Sequence, residues 1–404
     1  MSGIEYVWPK WFRKAIVYQI LIDRFAGYRS TDWSKPEFIG GNIPAITEKL
    51  DYLKELGVNA IWLSPFYETT AYHGYHITDY MKVEPRFGNL NDIKEFLQRA
   101  HQFDIRIIAD FVPNHCSNKH PYFQEALHDK SSKYYDWFIF NKWPDDYLCF
   151  FNFGELPKLN LDNPDTRDYI INAAKYWLSI GFDGFRIDHV VGVKHSFWRY
   201  FRENIKRDYP DSVLIGEACL DGVRIDNFNS INIRKKIMRW IFGISQDSLQ
   251  REYYGELDGI LDFKFQDLIK THIAHAPSCY DAKTLQEKIE MHCSHYPKCY
   301  YLAIFLDNHD MNRFLFECAN DKEKLKSAAR VQFKLNQPII IYYGTEVGMT
   351  HNSSVQEQKP HADIEARQPM IWKNQDLELF EFYKKLIRDK KKISEAIVNK
   401  FSTL

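Results

Sequence analysis

Short runs of apolar, β-favouring residues alternate with longer stretches in which apolar positions return every three or four residues, and the alternation persists along most of the chain. The short runs are AIVYQILI from Ala15, VNAIWLS from Val58, IRIIAD from Ile105, FDGFRID from Phe182, SVLIGE from Ser212, GILDFKF from Gly259, YLAIFLD from Tyr301 and PIIIYYG from Pro338. Strands this apolar suit a parallel sheet with helices packed around it. Helical periodicity fills the intervals, as in AITEKLDYLKELG from Ala45, closed by Gly57, and NDIKEFLQRAHQF from Asn91. Eight strands, each followed by room for a helix, predict an α/β fold of the (β/α)8 TIM-barrel type over an open doubly wound sheet.

One connection breaks the rhythm. From Pro113 to about Asn160 the chain is rich in Asn, Lys and aromatic residues with weak periodicity, far longer than the ~2 to 6 residues usual between strand and helix. A small subdomain inserted after the third strand, over the carboxyl face of the barrel, is predicted. The organisation is then barrel over residues 1–112, inserted subdomain over 113–160 and barrel again over 161–404. The tail after Arg388, DKKKISEAIVNKFSTL, reads as following the last helix, with its lysine run a solvated helix end.

Composition narrows the function more than the fold. A chain of 404 residues that is 45% hydrophobic can bury a large core, without choosing between one barrel and several ordinary domains. Its 53 basic and 54 acidic residues leave a net charge of -1, so there is no electrostatic footprint for nucleic acid or an anionic membrane, and a neutral substrate is expected. The opening MSGIEYVWPKWFRKAIVYQI lacks a secretory pattern and no apolar run reaches membrane-spanning length, which predicts a cytoplasmic protein. Seven cysteines, an odd number, suit reduced thiols. His272, His275, Cys279, His292, Cys293, His295 and Cys299 lie close in sequence but include no CxxC pair, and read as incidental side chains and not as a zinc site. Aromatic residues form 16% of the chain; most must pack in the core, with some excess expected where sugar rings stack.

Candidate chemistry sits at strand ends. Arg186 and Asp188, two residues apart, share one face at the carboxyl end of the fourth strand. An ion pair there is costly unless chemistry happens there, so Asp188 reads as the reactive centre. The third strand runs into Asp110, Asn114 and His115, the fifth ends at Glu217, and the seventh ends in Asp307, Asn308, His309 and Asp310. Singly each has an ordinary reading: Asp310 as a helix cap, Glu217 in a helix first turn, the histidines as hydrogen-bonded core residues. Four such ends converging on one barrel rim make coincidence improbable. Carboxylates with histidines and an arginine, without nucleophile-elbow, phosphate-loop or dinucleotide signatures, fit cleavage of a glycosidic bond. One carboxylate attacks or stabilises the anomeric carbon while another delivers a proton to the leaving oxygen. Arg186 is expected to keep Asp188 ionised, and Glu217, beside that negative charge, to have its proton affinity raised.

In order and spacing, DFVPNH from Asp110, GFRIDHV from Gly184, IGEA from Ile215 and FLDNHD from Phe305 resemble four motifs of the α-amylase family of retaining glycoside hydrolases. LPKLN from Leu156 resembles the fifth, in the form of the neopullulanase and cyclomaltodextrinase branch. YHGYHITDY from Tyr72, EPRFGN from Glu84, YYGTEVGM from Tyr342 and ARQPMIW from Ala366 carry the resemblance over nearly the whole chain. The resemblance implies that Asp188 is the nucleophile, Glu217 the general acid/base and Asp310 the carboxylate that stabilises the transition state through sugar hydroxyls. It further implies that Arg186, His115 and His309 hold the nucleophile and the sugar on the non-reducing side, with Tyr75 the aromatic platform beneath that sugar and His73 a hydroxyl contact. A tyrosine after glycine could also merely pack; its place in the motif favours stacking.

Departures carry information too. Where many relatives have a Lys-His pair after the nucleophile, this chain has Val191 and Gly192. The histidine usually contributes a calcium ligand, so its loss counts against a calcium site and against a leaving-side sugar contact. Asn114 persists as an oxygen ligand or, equally, as a loop residue. The first loop, DRFAGYRSTDWSKPEF from Asp23, lacks the crowded Asp and Asn ligands of a second calcium site. No bound metal and no required cofactor are expected. The sequence also stops where relatives continue into a C-terminal β-sandwich, so no complete C-terminal β-sandwich is expected, and it lacks the N-terminal module with which neopullulanase-type enzymes dimerise. Apolar surface left bare by these losses would be covered by self-association, and a homo-oligomer is the corresponding hypothesis. The expected activity is retaining hydrolysis of α-1,4-glucosidic bonds in maltooligosaccharides and related α-glucans, with cyclodextrin and pullulan as further candidates. Transglycosylation through the same intermediate is the nearest alternative. A non-catalytic barrel that binds sugar or protein is the rival from another class, and the presence of all three carboxylates counts against it.

Overall fold

The computed structural model describes residues 8–30, 32–220, 243–276, 281–357 and 361–401, with side chains through residue 392. Each of the eight apolar runs contributes one parallel strand: β1 Ile16–Ile20, β2 Ala60–Leu63, β3 Arg106–Phe111, β4 Gly184–Ile187, β5 Val213–Gly216, β6 Gly259–Leu261, β7 Tyr301–Phe305 and β8 Ile339–Tyr342. They close into a barrel in the order β1–β8–β7–β6–β5–β4–β3–β2. Almost every strand residue is buried, which is why these segments read as unbroken apolar runs. The α/β barrel expected from the sequence is therefore the fold.

The chain packs as two compact units. One comprises Ser64–Lys94 and Ile108–Leu261 with the N-terminal segment through Pro9; the other comprises Lys10–Leu63, Glu95–Ile107 and Asp262–Leu404. In the first unit, β4 lies between β3 and β5, with Asp110 opposite Arg186 and Arg186 opposite Ile215. Gly184 opens β4 at φ 149, and a Cβ there would stand 2.2 Å from the carbonyl oxygen of Val213. Only glycine permits that approach of β4 to β5.

The segment after β3 has structure of its own. It contains a helix, Pro121–His128, and a hairpin of Phe140–Lys142 with Asp146–Tyr147. Isolated bridges from His115 to Lys158, from Phe138 to Leu159 and from Cys149 to Pro157 fold LPKLN back onto the exit of β3. Its aromatic residues pack on one another: Tyr122 stacks on Tyr134 at 3.9 Å, and Phe123 meets Phe138 edge-on at 4.8 Å.

His120 caps that helix, its Nδ1 accepting from the backbone N–H of Tyr122 at 3.2 Å. The ring is buried, and burial pushes its pKa down to about 4. An imidazole that accepts here must stay neutral. Because an unfolded histidine titrates near about 6.5, the unfolded chain binds more protons than the folded one between about 6.5 and 4, and this site's stability is lost as pH falls through that window, by on the order of 3 kcal/mol. Thermal unfolding from pH 7 to pH 4 should therefore be shallower for His120→Asn, which retains a cap without a titratable ring. Identical pH slopes in parent and variant would refute this.

Three segments differ from the sequence reading. The helix expected from Ala45 is two pieces, Ile43–Glu48 and Leu50–Leu56, joined at Lys49 with φ -92 and ψ 1. Its true start is Asn42, whose side chain accepts from the N–H of Ala45 at 3.0 Å. The run GILDFKF is strand only to Leu261, because the Asp262 carboxylate accepts from the N–H of Phe265 at 3.0 Å and begins the helix Phe263–Ile269. The tail beyond Arg388 does not follow the last helix but belongs to it, since that helix runs Leu377–Phe401. Its lysine run is not uniformly solvated: Lys390 donates to the carbonyl of Leu335, and burial pushes its pKa down to about 8. Among the described residues no helix is long and apolar enough to cross a membrane.

Candidate active site

In the first unit a single guanidinium organises three carboxylates. Alternation along β4 puts Arg186 and Asp188 on one face, and the parallel register with β3 sets Asp110 beside Arg186. Arg186 Nη1 donates to Asp110 Oδ1 at 2.9 Å and to Asp188 Oδ1 at 2.9 Å, while Nη2 pairs with Glu217 Oε1 at 2.7 Å. Arg186 is 2% exposed and Asp110 fully buried. Burial alone would lower the arginine's pKa, but Asp110, Glu217 and Asp188 together raise it well above the ordinary value, so the guanidinium is a permanent charge. Formally, one positive group faces three acidic ones. Such a site favours positive charge developing close by.

Glu217, at the end of β5, is held twice, since its Oε2 also accepts from the backbone N–H of His189 at 3.0 Å. The sequence reading has Arg186 keep Asp188 ionised; the structure shares it among Asp110, Asp188 and Glu217. His189 follows Asp188 in a left-handed conformation at φ 44 and ψ 51, uncommon for a residue with a Cβ. That turn aims its N–H at Glu217 and sends the chain into the short helical turn Val190–Gly192. The N–H of Asp188 bonds the carbonyl of Phe111 at 2.8 Å, fixing the base of its side chain.

Tyr75 and His73 lie in a turn made possible by Gly74, whose φ is 89 and where a Cβ would stand 2.1 Å from the carbonyl oxygen of Pro65. The Tyr75 hydroxyl donates to Asp110 Oδ2 at 2.7 Å, and the Tyr75 N–H donates to His73 Nδ1 at 3.2 Å. His115 stacks on Phe150 at 4.5 Å, and its Nδ1 lies 3.2 Å from Asn114 Nδ2. The sequence reading gave no role to Asp110, which is the pivot that ties Tyr75 to Arg186. Its signal was present in the third strand's charged end, but the partner is visible only in the cross-strand register.

The second unit holds the remaining candidates. Asp310 Oδ2 lies 3.1 Å from His309 Nε2, and Asp310 Oδ1 pairs with Arg367 Nη2 at 2.7 Å. Arg367 Nε also donates to the carbonyl of His309 at 2.8 Å. His309 Nδ1 lies 2.7 Å from the side-chain amide of Gln19, and its ring meets Trp62 edge-on. Arg367 had no assigned role in the sequence reading, although ARQPMIW was singled out. Asp310 is not a helix cap, whereas its neighbour Asp307 accepts from the N–H of Phe314 at 2.8 Å and is a buried structural acid.

Other sequence candidates have ordinary partners. Among the clustered histidines, His292 pairs with buried Asp262 at 2.8 Å, His275 with Glu317 at 2.7 Å, and His272 Nε2 lies 2.9 Å from Lys288 Nζ; Cys279 lies outside the described residues. In the first loop the Asp23 carboxylate accepts from the N–H groups of Ile39 and Gly40 and pairs with Arg24, so donors surround it. After Asp188, where this chain carries Val191 and Gly192, the Gly192 carbonyl accepts from Lys158 Nζ at 2.9 Å.

A closed parallel barrel with acids clustered at the ends of its strands has the architecture of a barrel enzyme. The family described as Alpha amylase, catalytic domain, matches residues 19–401, and the chain belongs to the alpha-amylase family. It is 37% identical over 389 residues to Alpha-amylase 2 of Dictyoglomus thermophilum, covering 95% of this chain and 64% of that protein. It is 30% identical over 407 residues to Neopullulanase 2 of Thermoactinomyces vulgaris, covering 94% of this chain and 63% of that protein. Among solved structures, a cyclomaltodextrinase superposes with a TM-score of 0.79 at 29% identity, covering 95% of this chain and 64% of the other. The chain thus spans a little under two thirds of the length of these two curated relatives, and neopullulanase and cyclomaltodextrinase relatives accord with the branch that LPKLN indicated.

Proposed function

We propose that the protein is a retaining α-glucan hydrolase that cleaves α-1,4-glucosidic bonds of maltooligosaccharides and related α-glucans, with cyclodextrin and pullulan as further substrates. The observation that carries this reading is the shared guanidinium: Arg186 touches both Asp188 and Glu217, so the two carboxyl groups face a common point. Close acids of this kind serve double displacement, in which one attacks the anomeric carbon and the other first donates and then removes a proton. Asp188, fixed through Oδ1 by Arg186, is the nucleophile. Glu217, ion-paired with Arg186 through Oε1 and accepting from the N–H of His189 through Oε2, is the general acid/base that delivers its proton to the glycosidic oxygen. Asp310, oriented by Arg367 and His309, stabilises the transition state through sugar hydroxyls. Tyr75 stacks beneath the sugar, His73, His115 and His309 bind it, and Arg186 with Asp110 anchors the set.

No metal or cofactor enters this scheme. A cytoplasmic location accords with the free thiols of the six described cysteines, and the homo-oligomer stays part of the proposal. Transfer to a sugar acceptor in place of water uses the same glycosyl-enzyme and is the second reading. Incubation with maltotriose, maltoheptaose, β-cyclodextrin, pullulan and starch, resolving product length and initial anomer, tests all of this. Retained α-anomers are expected, products longer than maltotriose would reveal transfer, and an inverted first anomer would sink the double displacement.

A further inference from the structure

We infer that Lys158 is a positioning residue for the reaction proposed above: its ammonium is a fixed internal cation that pins the loop behind Asp188 to the inserted segment. The side chain is 9% exposed, and its Nζ reaches across to the Gly192 carbonyl at 2.9 Å. Its own backbone is tied at both ends. Lys158 N donates to Leu148 O at 2.9 Å, Leu159 N to Asn114 O at 3.0 Å, and Cys116 N to Pro157 O at 3.1 Å, so the lysine projects from a rigid strip beside the exit of β3.

From Gly192 the linkage runs through His189 and Val190 to Glu217. Gly192 N donates to His189 O at 3.1 Å, Val190 N to Glu217 O at 3.2 Å, and His189 N to Glu217 Oε2 at 3.0 Å. The left-handed turn at His189 persists only if its surroundings over-determine it. Lys158 supplies the anchor at the far end of that turn, three residues beyond the strained position. A hydrogen bond from an ammonium to a half-buried carbonyl is of the stronger, charge-assisted kind.

The same geometry bears on calcium. Asn114 has a buried Oδ1 without a hydrogen-bond partner, an oxygen that a cation could take. The carbonyl at residue 192, however, already faces an ammonium, and a second cation beside it would be repelled. The residues present therefore do not fit a calcium ion at this place, and the lysine carries the anchoring charge itself.

The test uses the full chain with Lys158→Met, Lys158→Ala and Lys158→Arg, assayed on β-cyclodextrin and maltotriose. A misplacement of reacting groups by about 1 Å costs on the order of 10²-fold, so Lys158→Met should lose ~10- to 100-fold in kcat with KM changed less than ~3-fold. Lys158→Arg should recover part of the loss, ethylammonium added to Lys158→Ala should restore activity several-fold, and a chelator should leave the parent unchanged. Amide hydrogen exchange at residues 190–193 should accelerate in Lys158→Met. Turnover within twofold of the parent, or a kcat loss explained entirely by unfolded protein with no response to ethylammonium, overturns the inference. If the parent cleaves none of the glucans, the functional reading fails instead, and exchange decides the anchor: unchanged protection at 190–193 overturns it, and accelerated exchange supports it.

Discussion

Asp188→Asn is expected to lower glucan turnover by at least ~10⁴-fold while the protein remains folded. An amide cannot form the covalent glycosyl-enzyme, and removal of an enzyme's nucleophile typically costs ~10⁴ to 10⁶ in kcat. The fold should tolerate the change because asparagine has the same shape, can still accept from Arg186 Nη1 through Oδ1, and keeps the backbone bond from residue 188 to Phe111. Removing one of three acids around a single guanidinium also relieves like-charge repulsion, so the melting temperature should be unchanged or slightly raised. Circular dichroism and thermal unfolding check the fold, and product release from maltoheptaose checks the chemistry. A folded variant with turnover within tenfold of the parent removes Asp188 from the nucleophile's role. Rapid quenching of the parent followed by peptide mapping should find the sugar on the peptide that carries residue 188.

The barrel was legible because a parallel strand buried on both faces leaves an uninterrupted apolar run, and all eight runs became strands. Arg186 and Asp188 were legible through the two-residue alternation of one strand. Partners on other strands were not. Asp110 stands beside Arg186 through the register of β3 with β4, and nothing in the third run by itself states that register. Arg367, which holds Asp310 from 57 residues away, needs a tertiary fold to be seen. Asp262 was read as part of a strand because apolar residues flank it on both sides; a capping carboxylate declares itself only by the N–H it accepts three residues on. Within LPKLN, Lys158 reads from the sequence only as part of a family-branch motif, while its partner at Gly192, 34 residues away, gives the motif a physical meaning.

Arg186→Met is expected to destabilise the fold by ~3 to 5 kcal/mol, the usual cost of removing one partner from a buried ionic cluster. Methionine replaces much of the volume but no charge, leaving Asp110 fully buried and still bonded by the Tyr75 hydroxyl but without the guanidinium. Asp188 and Glu217 lose the same guanidinium and face one another as like charges. Denaturant unfolding should show a lower midpoint with an unchanged slope if the fold survives. The pH dependence identifies the cause. Carboxyl groups stranded without their cation have folded pKa values raised above about 3.9, so between that value and the raised one the folded state binds more protons, and the variant should regain stability as pH falls. Adding Asp110→Asn to Arg186→Met should recover part of the loss, because the two changes share one interaction and cannot be additive. Independent, additive losses in the double variant, or a single variant within 1 kcal/mol of the parent, would mean that the guanidinium is not what holds these acids in place.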